Sequence, residues 1–113
     1  MVAKNPLFEA PPYQVEQALK RLGENLRIAR IRRNLTIEEV AHKIGTGPRP
    51  VMDAEKGKPS TTIGVYAALL WAYDLLGPLT ELASPTKDEQ GLMLASAKEK
   101  TRARKGKGLS SDF

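Results

Sequence analysis

The sequence predicts an all-α protein, and three observations predict it. Apolar residues recur at three- and four-residue spacing in separate stretches along the chain, as one buried face of a helix requires. Two S/T-x-x-E patterns, Thr36 to Glu39 and Thr86 to Glu89, stand where such stretches begin and have the form of capping boxes. No segment alternates apolar and polar residues as a half-buried strand does. The expected organisation is a flexible segment at 1–12, a compact five-helix bundle at 13–84, an additional C-terminal helix at 85–97 and a basic disordered tail at 98–113.

Residues 1–12 hold Pro6, Pro11 and Pro12 without periodicity, so little order is expected before Tyr13. From Tyr13 to Arg33 the residues Val15, Leu19, Leu22, Leu26 and Ala29 fall on one stripe among polar neighbours. Gly23 costs a helix about 1 kcal/mol relative to alanine, which leaves open either one helix or two pieces meeting there. Asn34 suits a left-handed stop, and Leu35 is expected to plug the core. Thr36 and Glu39 start a second helix with Ile37, Val40, Ala41 and Ile44 on its buried face. Gly45 ends it, where positive φ is needed.

Pro48 fits the first position of a third helix, since the donor it lacks would have gone unused. Val51 and Ala54 point inward, and Gly57 closes that helix. Ser60 or Thr61 caps a fourth, which runs through Ile63, Val65, Tyr66, Leu69, Leu70 and Tyr73 until Gly77-Pro78. It is apolar over much of its circumference and needs partners on more than one side. Leu79 to Ala83 gives a short fifth helix. A sixth starts at Lys87 under the Thr86–Glu89 box and continues through Leu92, Met93 and Ala97.

Composition narrows the function. With 113 residues, 27% charged and 41% hydrophobic, the chain suits one small domain with tails. It has no cysteine and one histidine, His42, so disulfides, thiolate metal sites and a histidine-based triad are not expected. No cofactor and no metal are expected. The longest apolar run, Val65 to Tyr73, is too short to span a bilayer and no signal-peptide core is evident, so a cytoplasmic protein without membrane attachment is expected. An enzyme is not expected either, for want of a phosphate loop, a nucleophile motif or a paired acid and base.

The formal charge is +5. Residues 98–113 hold six Lys/Arg against Glu99 and Asp112, a net of +4, which leaves +1 for residues 1–97. Within 27–58, however, Arg27, Arg30, Arg32, Arg33, Lys43, Arg49, Lys56 and Lys58 face four acids, which predicts a local basic surface. Two short helices around Gly45 have the form of a helix-turn-helix, whose second helix enters the DNA major groove.

The run LGENLRIARIRRNLTIEEVAHKIG with the later AEKGKP resembles the Xre or lambda-repressor-like helix-turn-helix domains, across residues 22–76. Leu22, Arg30, Leu35, Glu39, Val40, Ala41, Ile44, Gly45, Glu55 and Gly57 fall where that family places such residue types. The resemblance implies a five-helix bundle that binds a double-stranded DNA operator as a homodimer, a nucleoid-associated repressor in the cytoplasm. It also implies a partly buried ion pair between Arg30 and Glu55.

Carried over position by position, the resemblance implies DNA contacts from Thr46, Gly47, Pro48, Arg49, Met52, Asp53 and Lys56. Arg49 is the candidate for a base contact, with a phosphate contact as the alternative. Backbone amides near Thr36, Thr46 and Gly47, with Lys43, Lys56, Lys58, Arg32 and Arg33 as flanking cations, are expected on phosphates. The chain departs from the family at Pro48 and Pro50, which donate nothing, at Asp53, which meets cytosine N4 or repels phosphate, and at Ile37. Leu70, Trp71, Tyr73, Leu75 and Leu76 are expected to form core or a dimer seam. The basic tail is a solvated segment, a nonspecific phosphate contact or an extension along a minor groove, and Leu109 with Phe113 a short motif for a partner protein.

Length, the lack of a sensor domain and the appended helix also resemble HipB-type antitoxins, which implies a HipA-like kinase toxin as partner and autoregulation of the shared promoter. The alternative is a protein-interaction module that neutralises a toxin with weak or lost DNA binding.

Overall fold

Residues 5–106 are described by the computed structural model of the chain, and every regular element among them is helical. Two units divide the chain, Met1–Leu79 and Thr80–Phe113. No helix among the described residues is long and apolar enough to cross a membrane.

The first unit begins with α1 (Pro6–Glu9), where order was not expected. Asn5 supplies the cap, its Oδ1 accepting from the Leu7 amide at 3.0 Å, and Pro6 takes the first helical position. Asn-Pro is thus a helix start here, and a reading of proline as a breaker misses it. Helix α2 (Tyr13–Arg32) passes through Gly23 unbroken. A Cβ at Gly23 would lie 2.6 Å from the carbonyl oxygens of both Ala54 and Glu55, so the glycine admits a neighbouring backbone and is no hinge. The helix ends at Asn34, whose φ of 55° is left-handed.

In α3 (Ile37–Ile44) the capping box is complete: Glu39 N donates to Thr36 Oγ1 at 3.1 Å and Thr36 N to Glu39 Oε1 at 3.0 Å. Gly45 takes φ 83°, and the amides of Gly45 and Thr46 both return to the Ala41 carbonyl at 3.0 and 2.9 Å. Helix α4 (Pro48–Glu55) follows with Gly47 at its N-cap. Helix α5 (Ile63–Ala72) is capped by Thr62, and neither Ser60 nor Thr61 fills that role. Thr61 instead closes the preceding turn, its amide donating to the Lys58 carbonyl at 3.1 Å. The helix stops well before Gly77-Pro78, because Asp74 adopts φ 59° and Leu75 N donates back to Leu70 O at 2.8 Å.

The core is built from one face of each of α2 to α5. Leu26, Ala29, Val40, Ala41, Val51, Ala54, Tyr66, Leu69 and Tyr73 are buried together, with Leu22, Leu35, Ile37, Ile44 and Leu70 packed against them. Each fully buried Leu or Val contributes about 1.5–3 kcal/mol of transfer free energy. Tyr66 spans core and surface, its hydroxyl donating to the Lys58 carbonyl at 3.0 Å.

A 3-10 segment, Gly77–Glu81, leads into the second unit in place of the short helix expected at Leu79 to Ala83. Helix α6 (Glu89–Gly106) is capped by Asp88, whose Oδ1 accepts from Gly91 N at 3.0 Å, and not by Thr86. It also runs nine residues past Ala97, so residues 98–106 are helical where a disordered tail was expected. Lys, Arg, Ala and Glu are strong helix formers without any packing, and cations at a helix C-terminus favour the macrodipole. The rest of the tail, with Leu109 and Phe113, lies outside the described residues.

Candidate nucleic-acid interface

Helix α4 is held by its buried side before its outer face can serve anything. Val51 and Ala54 anchor it in the core, while Arg30 of α2 grips Glu55 at its last turn. Arg30 Nε donates to Glu55 Oε2 at 2.7 Å, Nη2 to Oε1 at 3.0 Å and Nη1 to the Leu35 carbonyl at 3.0 Å. The hydrogen bond that Arg30 donates to Glu55, opposed by burial, leaves the guanidinium pKa above its ordinary value.

The reading end of α4 is short of backbone donors. An α-helix leaves its first four N–H groups without intrahelical partners, and they form its anion site. Here those positions are Gly47, Pro48, Arg49 and Pro50, so two of the four carry no N–H at all. Two of the amides expected on phosphate are spent inside the fold: Thr36 N on Glu39 and Thr46 N on Ala41. The Thr46 hydroxyl is spent as well, donating to the Gly47 carbonyl at 2.9 Å. Gly47 and Arg49 are left to offer amides, beside the exposed ring of Pro48 and the half-buried Met52.

The cations sort into free and engaged. Arg49 is 78% exposed along its side chain, and Lys56 and Arg32 are exposed with no ion pair among the described residues. Lys58 is engaged, its Nζ 3.2 Å from Asp53 Oδ1, and Arg49 Nε lies 3.7 Å from the same oxygen. Asp53 therefore sits between two of the expected DNA contacts as their counter-ion. Lys43 leans the other way, over the Trp71 ring at 6.0 Å and within 3.5 Å of the Ala72 carbonyl. Arg33 leaves the set of flanking cations. It donates to the Ala29 carbonyl and the Tyr73 carbonyl, both at 2.9 Å, and stacks 5.4 Å from the Tyr73 ring centroid. Arginine one residue past a helix end is placed to bind terminal carbonyls, a signal that a count of basic residues overlooks.

The expected dimer seam also divides. Tyr73 is 1% exposed and belongs to the core, so it has no surface for a second copy. Leu70 packs against the core and Leu76 is half-buried, whereas Trp71 at 54% and Leu75 at 43% face solvent. His42 is exposed, and no cluster of metal-ligating residues occurs among the described residues. No family model, curated protein or solved structure matches the chain.

Proposed function

We propose that this protein is a lambda-repressor-like helix-turn-helix repressor of the Xre type, with α4 as the helix that enters the major groove. One observation carries the reading: α3 and α4 are joined by the left-handed Gly45 turn, and α4 buries Val51 and Ala54 while leaving Arg49 and Lys56 in solvent. A helix anchored on one side, with cations on the other and its N-terminus open, has what major-groove docking needs. Arg49 is the base-reading residue, since a guanidinium pairs bidentately with guanine for about 1–3 kcal/mol of discrimination. Lys56, Arg32 and the amides of Gly47 and Arg49 take phosphates. Trp71 and Leu75 give a homodimer its seam, which would set half-sites about one helical turn apart.

Selection of binding sites from a random duplex pool, followed by anisotropy titration, tests this. Arg49→Ala should relax base preference at one position per half-site, whereas Lys56→Ala should weaken all duplexes alike. Failure to enrich any site at low salt overturns the reading.

A second reading adds a protein partner. Leu82, Leu92, Met93 and Leu94 are all exposed in the second unit, more apolar surface than so small a unit needs to leave open. This supports an antitoxin role toward a HipA-like kinase. Co-expression with the neighbouring gene product should then relieve its toxicity, and a neighbour that is not toxic removes that role while leaving the repressor.

A further inference from the structure

We propose that the C-terminal part of α6 is a second DNA-binding element, which lies in the major groove of duplex DNA irrespective of sequence. Lys98, Lys100, Arg102 and Arg104 are all exposed, and none of their side chains has an ion-pair or hydrogen-bond partner among the described residues. In the first unit Lys20 pairs with Glu16, Arg27 with Glu24, Arg30 with Glu55, and Lys58 with Asp53, while the unpaired Arg32 and Lys56 lie on different elements. Four unmatched cations are therefore gathered on about two turns of one helix, where Glu99 is the only acid.

The arrangement selects among polyanions. Successive helical residues turn by about 100°, so Lys98 and Arg102 lie about 40° apart, as do Lys100 and Arg104, and the two pairs sit on opposite flanks. A flat anionic bilayer is met by a helix with cations on one side and apolar residues on the other. Residues 98–104 have cations on both sides and only Ala103 as an apolar residue, so they do not match a bilayer. A helix about 10–12 Å across in a B-form major groove about 12 Å wide has a phosphate row on each flank, which is where the two pairs point. The deep, narrow major groove of A-form RNA excludes such a helix. Like charges four residues apart oppose the free helix, and phosphates on both sides turn that repulsion into attraction. Nothing in this depends on α4 as a reading head.

The test uses the full chain and a random-sequence duplex, with affinity measured by anisotropy across a salt series. Replacing all four cations with glutamine, a good helix former, should lower the slope of log K against log salt by about 3 to 4. Lys98→Gln/Arg102→Gln and Lys100→Gln/Arg104→Gln should each remove about half of that change. Circular dichroism should show the same helix content in the parent and the fourfold variant, so that a lower slope reports lost charge and not lost helix. An unchanged slope in the fourfold variant, an effect confined to one pair, or equal affinity for double-stranded RNA or anionic vesicles would overturn the proposal. Loss of selective binding in Arg49→Ala with the random-duplex slope intact would separate this element from the α4 head.

Discussion

Arg30 and Glu55 are joined by two parallel hydrogen bonds across 25 residues of sequence, with side chains only 13% and 8% exposed. The pair ties α2 to the last turn of α4, and a third donor of Arg30 holds the Leu35 carbonyl beside it. Removing either partner leaves a charge in a partly buried site without its counter-ion. Arg30→Ala or Glu55→Ala should therefore each cost about 3–5 kcal/mol, while a combined apolar replacement, Arg30→Met with Glu55→Leu, should cost much less. Urea unfolding monitored by circular dichroism measures this. Single variants within 1 kcal/mol of the parent would show that water reaches the pair.

Gly23 and Gly57 carry a second constraint on the same pair of helices. A Cβ on Gly57 would collide with the Leu19 carbonyl, and Gly57 also holds φ 70°. Gly57→Ala thus meets both overpacking and left-handed strain, about 1–3 kcal/mol each. Gly23→Ala would gain about 1 kcal/mol of helix propensity, yet its Cβ would stand 2.8 Å from Gly57 N as well as against two carbonyls. Both variants should lower the melting temperature, and a stabilised Gly23→Ala would mean that α2 and α4 can separate without loss.

These two relationships show what was legible in the sequence. Local signals, such as the Thr36–Glu39 box, the Gly45 stop and the apolar stripes, act through neighbouring residues and are visible to a reader of neighbours. Gly23 looked like a possible break because the carbonyls it admits belong to residues more than thirty positions away. Asp53 looked like a groove-facing carboxylate because Lys58, which pairs with it, lies beyond the end of the helix. Arg33 looked like one more cation for the same reason, its partner at Tyr73 being set by the packing of α5. Residues 98–106 differ in kind: they have little apolar surface to pack, yet propensity and end charge suffice to make them helical.

Burial pushes the Tyr73 phenol up to about 12, helped by the charge of Glu55 and resisted by Arg30 and Arg33. In the unfolded chain a tyrosine ionises near pH 10, about two units lower. Below pH 10 both states hold the proton and stability is intact. As pH rises from about 10 to 12 the unfolded state ionises first, so roughly 2–3 kcal/mol of stability is lost across that window. Tyr66, raised in the same direction by burial, adds to the loss. Tyr73→Phe should flatten the alkaline decline in part. It should cost little at pH 7, because the Tyr73 hydroxyl has no hydrogen-bond partner among the described residues. Chemical denaturation of parent and variant at pH 7 and pH 11 makes the comparison, and parallel losses in the two proteins would acquit Tyr73.

Asp53 holds Lys58 at 3.2 Å and lies 3.7 Å from Arg49, so under the repressor reading it competes with DNA for two cations. The pairs are solvent-exposed on the cationic side and worth at most about 1 kcal/mol to folding, so Asp53→Asn should melt close to the parent. Its effect should appear on DNA. With the carboxylate gone, both cations can approach phosphate and a like charge no longer faces the backbone, which should tighten random-duplex binding and steepen the salt slope by about 1 to 2. Affinity for a selected site should rise less, because Arg49 already leaves Asp53 to reach its base there. The ratio of selected-site to random-duplex affinity should consequently fall, making Asp53 a residue that suppresses indiscriminate binding. A variant whose salt slope matches the parent would show that Lys58 and Arg49 never meet phosphate, and would leave the phosphate contacts of α4 to Lys56 and the backbone amides.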